Sequence, residues 1–496
     1  MSDRTAALDL PPDEFRRLGH DLIERIAQHL ESLADRPITS GDAPSRIREL
    51  LGQDALANGG DDPATILDQT SHLLFHHSLF NGHPRFWGYI TGSPAPLGML
   101  GDLLASVVNP NVGAYVLSPV ATEIERQTVR WIAEFIGYPS DCGGIMVSGG
   151  NMANMVCFLA ARRARVPWDI RKLGLRAGSA QLVAYASRET HTWIQKAADL
   201  FGLGLDAIRW IDTDDRLRMR IPALERAIVA DRQAGHVPFI VIGTAGSVST
   251  GAIDPLGEVA EVCKRFGIWF HVDGAYGAPA AVLPEASPDL KALSLADSVA
   301  VDPHKWLYAP LEAGCALVRD PQHLADAFSF HPAYYHFSDG GDGETPTNFH
   351  EFGLQNSRGF RALKVWLGLR QAGRDGYVRM IRDDIALTEA MYRAVEVHPE
   401  LEAFTLGLSI ATFRYVPADL TLTGPEREHY LNELNTALVT RLQADGEVFV
   451  SNAVVNGSYV LRACIVNFRT GQADVEAVPE VVVRTGRALM EQLANR

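Results

Sequence analysis

Lys305 stands in Asp302-Pro303-His304-Lys305-Trp306, directly after the apolar run Ser298-Val299-Ala300-Val301. A lysine between an imidazole and an indole at the end of a buried strand is poorly placed to be a solvated surface charge. A desolvated amine that sheds its proton is a nucleophile, and Schiff-base formation is its common use. Upstream, Asp273 closes the apolar stretch of His271-Val272-Asp273-Gly274-Ala275-Tyr276-Gly277. Such an acid either bonds a helix N-terminus or faces a cationic ring nitrogen. His191, in Glu189-Thr190-His191-Thr192-Trp193, follows another apolar run. Ser148-Gly149-Gly150-Asn151 leads into a helical pattern, so its amides meet the positive end of a helix and can cradle a phosphate. Read singly, the turn is equally a plain tight turn and the histidine a structural one. Read together, the four describe a ligand with a phosphate, a protonated ring nitrogen and an aldehyde, which is pyridoxal 5′-phosphate. No H-E-x-x-H, nucleophile elbow, paired-carboxylate or metal-ligand spacing competes with this set.

Short apolar runs at 144–147, 181–185, 239–242, 268–272, 298–301 and 315–318 read as buried strands. Helical stretches lie between several of them, such as Thr122 to Ile136, opened by Ser118-Pro119 and closed by Gly137. Strand and helix in alternation predict an α/β fold with a mostly parallel central sheet covered by helices. Residues 1–81 read as an N-terminal helical arm whose apolar stripe needs a partner surface. Residues 82–376 read as the large cofactor-binding domain. Residues 377–496 read as a small α+β C-terminal domain, with a helix at 378–397, strands at 408–413, 448–450 and 459–468, and a closing helix from about 475.

The 496 residues carry 45 Lys+Arg and 60 Asp+Glu, a net charge of −15 that repels nucleic acid and anionic membrane alike. The five cysteines show no C-x-x-C spacing, and the first residues lack a basic and then apolar leader. Free thiols in a cytoplasmic protein are the expectation.

The sequence resembles the group II pyridoxal-phosphate decarboxylases, which include the aromatic-L-amino-acid, histidine, glutamate and cysteine-sulfinate decarboxylases. The match runs from about His83 to Arg469 through HPRFWGY, SPVATEIE, SGGNMAN, ETHTW, GTAGSVSTGAIDP, WFHVDGAYG, DPHKW and NSRGFRALKVW. The resemblance implies the PLP-dependent transferase fold type I and a homodimer with active sites at the interface. Carried over residue by residue, Lys305 holds the cofactor and Asp273 pairs with the pyridinium. His191 stacks on one ring face and Ala275 packs on the other, with Thr244 nearby. Gly149, Gly150 and Asn151 bind phosphate, with His304 close by. Tyr334 protonates the carbanion, and Tyr89, Ile90 and Thr91 line the substrate pocket. Asn111 and Gly113 enter it from the neighbouring subunit, where relatives acting on aromatic substrates place bulky apolar residues. Gly113 departs from that pattern, as Asn151 departs from the usual Ser or Thr. Arg85 and Arg462 stay open as partners for a substrate side-chain carboxylate. The implied activity is decarboxylation of an L-amino acid to the amine and CO2, with aromatic substrates leading. The alternatives are decarboxylation coupled to oxidative deamination, giving an aldehyde, and a non-aromatic or acidic substrate.

Overall fold

A computed structural model describes residues 6–175, 180–330 and 346–494. Seven strands form the central sheet: β1 (Gly143–Val147), β2 (Leu182–Ser187), β3 (Ile208–Ile211), β4 (Val237–Thr244), β5 (Trp269–Asp273), β6 (Ser298–Val301) and β7 (Gly314–Val318). Their order is β1-β7-β6-β5-β4-β2-β3. The β3·β2·β4·β5·β6 ladders are parallel, and β7 runs antiparallel between β6 and β1. Strands such as β1, β2, β5, β6 and β7 are buried at every position, which is why they read as continuous apolar runs. Side chains alternate between two cores. Val241 and Phe270 pack with the helices Pro119–Ile136 and Leu256–Phe266 on one face. Ile240 and Ile242 pack with Gly150–Arg165 and Trp193–Leu200 on the other.

A second, antiparallel sheet has the order β10-β11-β9-β8. It comprises β8 (Leu401–Gly407), β9 (Ile410–Tyr415), β10 (Ser451–Val455) and β11 (Ser458–Cys464), backed by Gly424–Asp445 and Val478–Ala494. The structure differs from the sequence expectations at four places. The strand expected at 408–413 is half of a hairpin, because Leu408 takes φ 50 and turns the chain between β8 and β9. The run at 448–450 precedes β10, with Phe449 bridging to Phe86. The edge strand β3, half-exposed at its centre, lacks the apolar run that marks its neighbours. The expected helix 378–397 begins earlier, spanning Ala362–Glu396 with a break at Gly373 (φ 60), so the 376/377 division falls inside it.

The N-terminal stretch holds helices Pro12–Glu31, Pro44–Leu51 and Pro63–His77. Leu18 is buried, but Phe15 and Ile23 of the same helix are exposed. No described helix is long and apolar enough to cross a membrane. A fully buried ion pair joins Arg358 to Glu125, and Arg358 also donates to the carbonyls of Val112 (2.7 Å) and Met146 (2.6 Å). It pins the segment around residue 112 to the end of β1.

Candidate active site

Strands β1, β2, β4, β5 and β6 point the same way, and their carboxyl ends deliver Gly149, His191, Thr244, Asp273 and Lys305 to one edge of the sheet. This is where open α/β sheets bind ligands. A cavity of about 390 Å³ lies there, walled by Gly150, Asn151, His191, Thr244, Asp273, Ala275 and Lys305. Tyr89 and Ile90 line it from the N-terminal side, and Ser451, Asn452 and Arg462 from the second sheet. A larger groove of about 700 Å³ between Pro119 and Phe352 is mostly apolar and holds none of these groups.

Lys305 Nζ pairs with Asp302 Oδ2 at 2.9 Å. Asp302 had no role in the sequence reading, although the i, i+3 spacing within Asp302-Pro303-His304-Lys305 was there to see. Asp273 ends β5 with its carboxylate held from two sides. Trp193 Nε1 donates to Oδ2 at 2.8 Å, and the Ala275 N–H donates to Oδ1 at 3.2 Å. Asn154, also in the wall, contacts His271 Nε2 at 2.7 Å, and His271 Nδ1 meets Ser298 Oγ at 2.8 Å. Burial pushes the His271 pKa down to about 4. The hydroxyl of Ser298 already accepts from Trp269 Nε1. Asn154 Oδ1 can only accept, so the neutral ring donates from Nε2 to it and Nδ1 accepts from the Ser298 hydroxyl. His191 stays solvent-accessible, and desolvation by the surrounding protein lowers its pKa below 6.5. Burial likewise lowers the pKa of His304, whose Nδ1 accepts from the Ala313 N–H at 3.1 Å.

Several sequence-selected residues lie elsewhere. His304 stands behind the turn, where a Cβ on Gly149 would come within 3.1 Å of its ring. Thr91, Asn111 and Gly113 do not line this chain's cavity. Asn111 Oδ1 accepts from the N–H groups of Gly113 (3.1 Å) and Arg358 (3.0 Å). A Cβ on Gly113 would come within 2.2 Å of the Asn356 carbonyl, so backbone contact within the chain already requires glycine there. Arg85 is spent on Asp474 at 3.0 Å, outside the cavity, whereas Arg462 lines it. Tyr334 lies outside the described residues.

The wall fits pyridoxal phosphate. Among the described residues, six buried side-chain polar atoms have no hydrogen-bond partner, and four of them (Asn151 Oδ1, Asp302 Oδ1, Arg462 Nε and Nη2) belong to residues of this cavity. Native interiors satisfy nearly all such atoms, so a cluster of exceptions marks a polar ligand site. The turn leaves it room: a Cβ on Gly150 would stand 2.6 Å from Asp302 Oδ2 and 3.0 Å from Ala275 Cβ. The amides at the start of Gly150–Arg165 suit a phosphate, the Lys305 amine an aldehyde and the Asp273 carboxylate a pyridinium.

Comparison with known proteins agrees. The model of the pyridoxal-dependent decarboxylase conserved domain matches residues 44–415. The chain is 33% identical over 488 residues to the aromatic-L-amino-acid decarboxylase of Bacillus atrophaeus, covering 98% of each chain. It is 29% identical to phenylacetaldehyde synthase of a Rosa hybrid cultivar, covering 94% of this chain and 92% of that one. Its fold superposes on Oryza sativa TDC, solved with PLP and tryptamine, with a TM-score of 0.89 at 26% identity, covering 98% of this chain and 100% of that one. With Lys305, Asp273 and the Gly149-Gly150 turn gathered at one sheet edge, the chain belongs to the pyridoxal-dependent decarboxylase family.

Proposed function

We propose that this enzyme decarboxylates an aromatic L-amino acid to its amine and CO2. The carrying observation is the single cavity that gathers Lys305, Asp273 and His191 with four unpartnered polar atoms. The aromatic preference is supported by the relative named for aromatic-L-amino-acid decarboxylation and by the apolar surface of Tyr89 and Ile90.

Bound pyridoxal phosphate supplies an electron-accepting ring conjugated with the substrate Cα. The chain's residues do the rest. Lys305 would hold the cofactor through its aldehyde, and Asp302, 2.9 Å from Nζ in this structure, would hold the lysine ammonium whenever the amine is free. Asp273 holds a proton at the ring nitrogen. His191 and Ala275, both in the cavity wall, would cover the two ring faces and exclude water, which would favour loss of a charged carboxylate as neutral CO2. Gly149, Gly150 and Asn151 would bind the phosphate, with His304 behind the turn and Thr244 in the same cavity wall as Ala275. Arg462, buried and without an acid partner among the described residues, offers Nε and Nη2 to an acceptor on the substrate. Tyr334 delivers the proton to Cα.

A homodimer completes the reading. Leu103, Leu104, Val107 and Val108 of Pro96–Val108 are exposed with Val116, Leu117 and Val120, an apolar surface of the kind that marks association. It flanks Asn111 and Gly113, which would face the partner's cavity. Five free cysteines support a reducing, cytoplasmic setting.

The test is a product assay. Protein loaded with pyridoxal phosphate is incubated with the standard L-amino acids plus DOPA and cysteine sulfinate, and amines and aldehydes are followed by mass spectrometry. One aromatic amine is the expected product. An aldehyde with ammonia, or a product from an acidic amino acid alone, would overturn the reading.

A further inference from the structure

Trp193 opens the helix Trp193–Leu200, two residues beyond His191, and its side chain is fully buried. The ring packs edge-on against Phe158 at 6.3 Å and His271 at 5.6 Å. Core packing accounts for the ring and leaves its hydrogen bonds unexplained. The indole N–H donates to Asp273 Oδ2 at 2.8 Å, and the backbone N–H of the same residue donates to His191 Nδ1 at 3.3 Å. The first bond works with the Ala275 N–H on Oδ1 to stop the carboxylate from rotating. The second makes Nδ1 an acceptor, so a neutral His191 carries its proton on Nε2.

We infer that Trp193 is a positioning residue whose indole N–H sets the orientation of the acid facing the cofactor's ring nitrogen. This rests on the assignment of Asp273 as the ring-nitrogen partner. A phenylalanine would fill much of the same space; only the N–H orients the carboxylate. Trp193 therefore acts on ring protonation and cofactor retention through Asp273, without touching the reacting atoms.

Wild type, Trp193→Phe and Asp273→Asn are loaded with pyridoxal phosphate labelled with 15N in the ring. The ring-nitrogen chemical shift is read from pH 6 to 9, beside the cofactor dissociation constant and the circular dichroism of each protein. Hydrogen bonds to charged groups set the expected scale: Trp193→Phe keeps native circular dichroism, weakens cofactor binding roughly 10- to 100-fold, and moves the ring nitrogen toward the unprotonated pyridine value. A shift that moves in Asp273→Asn but not in Trp193→Phe would overturn the inference and leave the Asp273 assignment standing. A shift that moves in neither would remove that assignment and the inference with it. Should Trp193→Phe fail to fold, site-specific incorporation of benzothienylalanine at position 193 keeps the bicyclic shape and deletes only the N–H. An unmoved ring-nitrogen shift there counts against the inference in the same way.

Discussion

Asp384, on the helix Ala362–Glu396, is 1% exposed, and its Oδ2 accepts from both Trp306 Nε1 (2.8 Å) and Tyr308 Oη (2.7 Å). These two donors flank the lysine loop. No cation pairs with Asp384 among the described residues, and burial outweighs these two hydrogen bonds and a third from the Asn467 backbone, pushing its pKa from 3.8 up to about 7. Between those values the folded state holds a proton that the unfolded chain has released, so stability falls as pH rises through that window. The slope is about 1.4 kcal/mol per pH unit, or roughly 3 kcal/mol between pH 5 and pH 8, most of it below pH 7. Asp384→Asn keeps an oxygen for Trp306 and Tyr308 and does not titrate, and what its amide costs beside the Asn467 backbone is the same at every pH. The variant-minus-wild-type difference in stability should rise by roughly 3 kcal/mol from pH 5 to pH 8. Urea denaturation at both pH values, with protein and cofactor concentrations held constant, measures this. His271, held near 4, and Asp254, raised to about 6, titrate in both proteins and cancel in the difference. A variant-minus-wild-type difference that ignores pH would refute the argument, because it would mean that Asp384 takes up no proton on burial.

Three further outcomes follow from the same geometry. Lys305→Ala should show no visible absorbance from lysine-bound cofactor after incubation with pyridoxal phosphate; a chromophore persisting without added amine defeats the assignment of that lysine. Gly150→Ala places a methyl group 2.6 Å from Asp302 Oδ2, so cofactor affinity should drop at least roughly tenfold and fold stability by about 1–3 kcal/mol; fluorescence titration giving wild-type affinity would contradict it. Arg358→Met strands the buried Glu125 carboxylate and should cost about 3–5 kcal/mol. Adding Glu125→Gln should restore part of that, and equal urea midpoints for wild type and the single variant would show that the pair carries no stability.

Much of the site was legible because parallel strands buried on both faces appear as unbroken apolar runs, and their carboxyl ends can be marked along the chain. Gly149, His191, Asp273 and Lys305 each stand just past or at the end of such a run, so the sheet had only to bring the ends together. Where burial was partial the pattern faded: β3 is only half-buried at its centre, and the β8–β9 hairpin turns at Leu408 rather than at a glycine. The partnerships were invisible for another reason. Trp193 reaches Asp273 across 80 positions, and Asp384 reaches Trp306 across 78. Arg462 enters the cavity from the second sheet, and Gly113 is glycine because the Asn356 carbonyl lies against it. Residue type and spacing therefore determined which chemistry this chain carries and at which positions. Tertiary packing alone decided which groups lose water together, which buried polar atoms stay unpartnered, and which arginine meets the cavity, since desolvation and hydrogen bonding depend on distance in space and not along the chain.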